Sequence, residues 1–365
     1  MNHKINSIHY LRGIAALLVV CFHLRENLNN VYAQANLGDL AFVSGASGVD
    51  IFFIISGFII AFSTSKPENA KASTFLVKRF FRIYPVYFIA LMIMLTFTPQ
   101  VSILSQVKSV FLIHDDYSKQ APTFGYGVLT PAWSLTYEIY FYLLFLLSSS
   151  ISHRYRSFIC SAFIVSSIFL LQFIFMNSLS LSALDSLPTK DNQNFAFISF
   201  LSSPMLLEFI YGMLLYEMRG FFSKIPFPNL VSLGCITFFI SAYLSGWRYS
   251  YGPTNFGLWA VILVTGCLTY EANNNMKPSN ILNFLGDISY SLYLCHGVIL
   301  ALLYVYNPEI PLYSNSSGLA KFILILSFSI ICASLVNSLI ERPIINICRI
   351  VLEKVRVTSN TPERA

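Results

Sequence analysis

The chain has 365 residues, of which 55% are hydrophobic and only 11% charged, and its mean hydropathy is +0.63. A soluble domain carries roughly 25% charged residues, so one water-facing core cannot hide this much apolar surface, and lipid must be the solvent for much of the chain. A cytosolic enzyme, a disulfide-rich secreted module and a disordered scaffold are thereby excluded. The net charge of +6 comes from only 23 Lys and Arg residues spread along the sequence. That is the pattern of cytoplasmic-loop bias, and no nucleic-acid partner is expected. The seven cysteines contain no C-x-x-C pair; most sit in apolar runs, as small hydrophobes, and no metal is expected.

Runs of about 20 apolar residues occur at 8–24, 47–64, 80–98, 132–150, 156–176, 198–218, 229–247, 255–271, 286–306 and 318–341. These predict an all-α polytopic integral membrane protein with about ten transmembrane helices. The shorter stretch 101–113 reads as interfacial or re-entrant, and no repeat or low-complexity segment is visible. An even number of spans puts both termini on one side. On that side fall sixteen Lys/Arg, including Lys4, Lys78, Arg79, Arg82, Arg156, Arg342 and Arg364, against six on the other, including Arg25, Lys108, Lys190 and Arg248. The positive-inside rule then makes both termini cytoplasmic. Lys4, the first apolar run and Ala33-Gln34-Ala35 imitate a secretory signal, but Arg12 interrupts the run and Arg25-Glu26 separates it from the small residues.

Ionisable groups within spans are costly and mark sites by default. The first span holds Arg12 and His23, eleven residues apart; on a helix they share a face and lie roughly 16 Å apart along the axis. The pair suits a functional face, or a snorkelling arginine and an interfacial histidine. Asp50, in Gly48-Val49-Asp50-Ile51-Phe52-Phe53, enters from the side His23 approaches. It suits two roles: orienting a general-base imidazole, or favouring the N-terminus of its own helix. Ser56 and Gly57 read as close-packing residues.

Arg79 and Arg82 are one turn apart, a geometry for phosphate. Trp133, Ser134 and Glu138 follow Pro131 at the start of the fourth span, where Pro is a normal N-terminal signal. Glu138 lies a turn deeper on the face of Ser134. In the ninth span Ser289, Tyr293 and His296 form a polar stripe at i, i+4, i+7, suited to lining a channel or to bonding helices together.

Together these segments resemble the membrane acyltransferase-3 family, which includes O-acetyltransferases of bacterial surface polysaccharides. The resemblance rests on Arg12 with ten residues before His23, Gly48–Phe53 with Ser56-Gly57-Phe58, Arg79-Phe80-Phe81-Arg82, Trp133-Ser134-Leu135 with Glu138, and Ser289–His296. It runs from about residue 5 to 345. It implies a multi-pass enzyme of the bacterial plasma (inner) membrane, with membrane lipid around it. The enzyme would move an acyl group, acetyl above all, from cytoplasmic acyl-CoA to a sugar hydroxyl of a lipid-linked or nascent polysaccharide. It implies His23 as the essential histidine and Arg12, Arg79 and Arg82 as functional arginines.

On this reading residues 1–345 form the acyltransferase domain and 346–365 a short cytoplasmic tail. The extra extracytoplasmic hydrolase-like domain of many relatives is not expected after Glu341-Arg342-Pro343. The catalytic set is then His23, Asp50 and Glu138, acetyl-CoA is the donor bound by Arg12, Arg79 and Arg82, and Trp133, Ser134, Ser289, Tyr293 and His296 are substrate or oxyanion candidates. Direct transfer is the favoured route and an acyl-histidine the alternative. The competing function is a transporter or flippase for a glycan or a proton-coupled solute, though the inverted repeats of transporters are not found.

Overall fold

The computed structural model describes residues 5–67, 71–185 and 196–360, with side chains described up to residue 352. Of the charges counted above, Lys4, Lys190 and Arg364 lie outside the described residues, as do the side chains of Lys354 and Arg356. Among the described residues the chain is all-helical, and ten helical segments are long and apolar enough to cross a membrane. The principal helices are α1 (Asn6–Leu24), α2 (Leu37–Phe42), α3 (Gly48–Ser63), α4 (Ala72–Phe97), α5 (Ile103–Val110), α6 (Trp133–Ile151), α7 (Arg156–Met176), α8 (Phe197–Leu201), α9 (Leu207–Glu217), α10 (Pro228–Ser245), α11 (Phe256–Asn273), α12 (Asn280–Val305), α13 (Gly318–Val336) and α14 (Arg342–Asn360). The second span combines α2 and α3, and the sixth combines α8 and α9.

Alternate connections gather at opposite ends of the bundle, as ten crossings require. At one end, with residue 5, Ser7 meets Glu271, His9 and Arg342 both meet Asp287, and Ser157 meets Glu217. At the other end Tyr32 accepts from Leu319 N, Phe97 packs on Tyr306 and Trp133 on Tyr251. These are called the terminal and the opposite faces.

Helix α3 is the hub: 83% of its span is buried, against about a fifth for the spans of α7, α10 and α13, which face outward. Lipid is as apolar as leucine, so helices in it associate by close packing over small residues. A Cβ on Gly57 would lie 2.2 Å from Phe209 O, and one on Gly212 would lie 1.9 Å from Ile54 O. The two glycines thus let α3 and α9 pack backbone to backbone. Gly13 and Gly286 do the same for α1 and α12, a Cβ on Gly13 falling 2.6 Å from Gly286 N. Gly212→Ala must push the helices apart; overpacking of this kind costs about 1–3 kcal/mol. The expected result is a lower temperature of aggregation for the detergent-solubilised protein in a fluorescence-detected size-exclusion melt. An unchanged midpoint would contradict the contact.

Helix ends are satisfied from neighbouring helices. The first backbone amides of α1, on Asn6 and Ser7, donate to the Glu271 carboxylate of α11 at 2.7 and 2.9 Å, answering orphan donors at the positive end of the helix dipole. Arg156 of α7 donates to Ala61 O at 3.1 Å and to Thr64 Oγ1 at 3.2 Å, answering the C-terminal end of α3. Residues 101–113 lie on the opposite face: α5 exposes Ile103, Leu104 and Val107, and its eight residues are too few to span, so the interfacial alternative fits its length and exposure. Between α13 and α14 the last turn loosens into a π-helix, Asn337–Glu341. Such bulges redirect side chains, and this one turns Asn337 and Glu341 inward.

Candidate functional site: a cationic cavity inside the bundle

Helices α1, α3, α4, α6 and α12 enclose a cavity of about 770 Å³, open mouth included. Three arginines reach it from two helices: Arg12, Arg79 and Arg82. Arg82 forms an ion pair with Glu341, which the π-turn delivers and which also accepts from Ser291 Oγ at 2.6 Å and Asn337 Nδ2 at 3.0 Å. Arg79 donates to Ser63 Oγ at 2.9 Å and its guanidinium stands 5.4 Å from the centre of the Tyr142 ring. Its Nε is buried with no hydrogen-bond partner. Arg12 differs from both, since it lines the cavity yet makes no hydrogen bond or ion pair with the described residues. Glu138 also lines the cavity, accepting from Ser56 Oγ at 3.0 Å and from the Tyr142 hydroxyl. Three guanidinium groups thus face two carboxylates, Glu138 and Glu341, and the balance favours an anion with several oxygen acceptors.

His23 lies just outside this lining. Its ring centre is 5.1 Å from that of His296, and the His296 ring is 6.0 Å from that of Tyr293, which does line the cavity. His296 Nδ1 is 3.2 Å from Leu292 O, so that nitrogen carries the proton, and the buried Nε2 is left without a partner. Arg12 and His23 stay on one unbroken helix, which keeps their axial separation at roughly 16 Å.

Several of the expected roles change with this geometry. Asp50 does not hold His23. It is fully buried, its Oδ1 accepts from Gly252 N at 3.0 Å, its Oδ2 has no partner, and its carboxyl lies against that of Glu208. It makes no side-chain cap bond to α3 either. The reason is position: Asp50 leaves the first turn of α3 toward α9 and the α10–α11 loop, away from α1. Asp50→Asn keeps the oxygen that Gly252 bonds, so activity within about tenfold of wild type is expected. A general base deprived of its orienting carboxylate loses about 10⁴-fold, and a loss on that scale in a transfer assay would restore Asp50 to the base.

Tyr293 donates to Pro131 O at 2.7 Å and is bonded to Ser134 Oγ at 2.7 Å. Both hydroxyl protons are therefore committed, which removes these two residues as open oxyanion donors, although both line the cavity. Ser289 bonds back to Gly286 O in its own helix and lies outside the lining. Trp133 faces a second, smaller pocket. The cavity thus gathers Arg12, Arg79, Arg82, Ser134, Glu138 and Tyr293 but not Trp133, Ser289 or Asp50. Ser56, whose sequence context suggests packing, bonds Glu138 instead. Sequence reasoning misses Tyr142, Tyr290 and Glu341. Tyr142 carries a usable signal, four residues after Glu138 on one helix face; Glu341 carries none, because only the π-turn brings it in. Among the described residues no group of three or more His, Cys, Asp or Glu could hold a metal ion.

Fold and site define a polytopic membrane protein with an arginine-lined cavity buried among its helices. The chain belongs to the acyltransferase domain family, whose model matches residues 5–337, and it is an acyltransferase. The exopolysaccharide production protein ExoZ of Rhizobium meliloti is 31% identical over 268 residues, which cover 70% of this chain and 76% of the relative. The acyltransferase MdmB of Streptomyces mycarofaciens is 25% identical over 99% of this chain and 96% of its own. A putative O-acetyltransferase of Staphylococcus aureus (strain COL) is 24% identical over 91% of this chain, but only 56% of the relative. No solved structure matches the chain significantly. Membership in this family sets the transporter reading aside.

Proposed function

We propose that this acyltransferase carries an acetyl group from cytoplasmic acetyl-CoA to a sugar hydroxyl of a lipid-linked or nascent surface polysaccharide, in a bacterial plasma membrane. Residues 1–345 are the catalytic domain, and the terminal face is the cytoplasmic one. The observation that carries the reading is the gathering of Arg12, Arg79 and Arg82 in one cavity, Arg12 without a hydrogen bond or ion pair among the described residues, with His23 further along the same helix. The CoA phosphates are received by Arg12, Arg79 and Arg82. The roughly 16 Å from Arg12 to His23 matches an extended phosphopantetheine arm, on the order of 15–20 Å by chain-extension reasoning, so the thioester arrives beside the imidazole.

There the acceptor hydroxyl attacks the thioester carbonyl while His23 takes its proton. The tetrahedral adduct collapses, the C–S bond breaks, and the proton passes to the departing CoA thiolate. Glu138, anchored by Ser56 and Tyr142, offsets the arginine charge and positions the donor. His296, whose ring stands 5.1 Å from that of His23, packs against the base.

The test is transfer by purified protein in lipid nanodiscs, given radiolabelled acetyl-CoA and a lipid-linked glycan extract. Label in the glycan fraction is the expected result; protein that neither binds CoA nor moves label would overturn the donor assignment.

A further inference from the structure

On the opposite face, between α5 and the start of α6, lies a second pocket that the acyl-transfer chemistry does not use. It is lined by Tyr87, Ser109, His114, Leu129, Trp133 and Thr136, among others, and by no charged residue. His114 is its unusual member. The ring is 2% exposed and boxed by Tyr117, Phe124, Tyr137 and Phe200 at 5.3–5.6 Å between ring centres. The Trp133 backbone is close by, yet among the described residues neither ring nitrogen reaches hydrogen-bond geometry to it or to any other group. A side chain needed only to fill an aromatic box would be phenylalanine; two bare ring nitrogens are costly to bury without a partner.

Two other polar groups of the pocket are already engaged. Tyr87 donates to Ser109 O at 2.5 Å, and Ser109 Oγ accepts from Val128 N at 3.1 Å. Burial pushes the His114 ring down to about 3, so at neutral pH it offers one N–H and one lone pair. A hydroxyl can meet either nitrogen, accepting from the N–H or donating to the lone pair, and the uncharged lining asks for a neutral ligand. Trp133 and Tyr87 add apolar surface with a polar edge. Location completes the argument: Trp133 faces this pocket while the next two residues, Ser134 and Leu135, face the arginine cavity. The two open on different sides of the same stretch of α6.

We propose that the His114 pocket is a subsite for a hydroxyl of a neutral sugar on the acyl acceptor, holding the glycan at the opposite face while another part of the same glycan reaches the transfer centre. This rests on the reading of the acceptor as a glycan. Two variants test it: His114→Phe, which fills the aromatic box without a polar atom, and His114→Gln, which restores one donor and one acceptor. Nanodisc-embedded protein is titrated calorimetrically with methyl glycosides of glucose, galactose and mannose, and separately with CoA.

The expected outcome is saturable binding of at least one glycoside by wild type, weakened at least about tenfold in His114→Phe and recovered in His114→Gln, with CoA binding unchanged in all three. No saturable binding by wild type, or equal binding by His114→Phe, would overturn the proposal and leave the pocket to water alone. Failure of the donor reading shows differently: glycoside binding would depend on His114 while wild type moved no label from acetyl-CoA.

Discussion

Replacing His23 with Ala lowers acetyl transfer by about 10²–10⁴-fold, the contribution of a positioned general base, and leaves the affinity for CoA unchanged. The physical case is separation of labour along one helix. Arg12 lines the cavity, whereas His23 stands beyond it against His296, so truncating the imidazole removes no contact from the donor's phosphates. Folding should survive as well, because His23 forms no hydrogen bond with the described residues, and the rings it packs against, Phe22 and His296, stay in place. The measurement is single-turnover transfer from labelled acetyl-CoA, with CoA binding and the size-exclusion profile followed on the same preparation. Near-normal transfer by the variant would remove His23 from the chemistry. Loss of both transfer and CoA binding would instead make it part of the donor site.

The second large effect belongs to Arg12. A hydrogen bond to a charged group contributes about 1.5–3 kcal/mol, so Arg12→Gln raises the KM for acetyl-CoA by about 10–100-fold, and the maximal rate changes far less. Arg12 is the informative arginine because the other two carry structural duties. Arg82 ties α4 to Glu341 and Arg79 ties it to Ser63, so replacing either mixes binding with packing. Arg12 has no such attachment among the described residues, and Gln keeps most of its length and polarity. Kinetics at several ionic strengths should show wild-type affinity falling with salt and the variant's falling less. An unchanged KM, with an unchanged salt slope, would show that the donor's phosphates do not meet this guanidinium.

Much of this architecture was legible in the sequence because the bilayer leaves few choices. A membrane-crossing segment must satisfy its backbone internally and bury about 20 apolar residues, so the ten runs read from the chain reappear as ten helical spans. Intramembrane charge was equally readable. Arg12, Arg82 and Glu138 stood out because lipid penalises them, Arg79 because it lies one turn from Arg82, and all four line one cavity. The spacing of Arg12 and His23 survived because a helix with no proline or bulge between them converts sequence separation directly into distance.

Partner choice was not legible. Asp50 is close to His23 in topology, entering the bundle from the same side, yet it faces Gly252 and Glu208 across α9 and the α10–α11 loop. The rotation of α3 that sends it there is set by Gly57 and Gly212 meeting the backbone of the facing helix, a three-dimensional fit with no one-dimensional trace. Glu341 reaches Arg82 from behind the cavity wall only because five residues adopt a π-turn, and His114 gains its setting from a loop folded over α6 and α8. The sequence by itself determined how many helices cross and which charges must hide from lipid, since hydrocarbon imposes both conditions on each segment separately. Only the tertiary structure decided which hidden charges meet, because that depends on helix rotation, and helix rotation is fixed by backbone contacts between segments far apart in the chain.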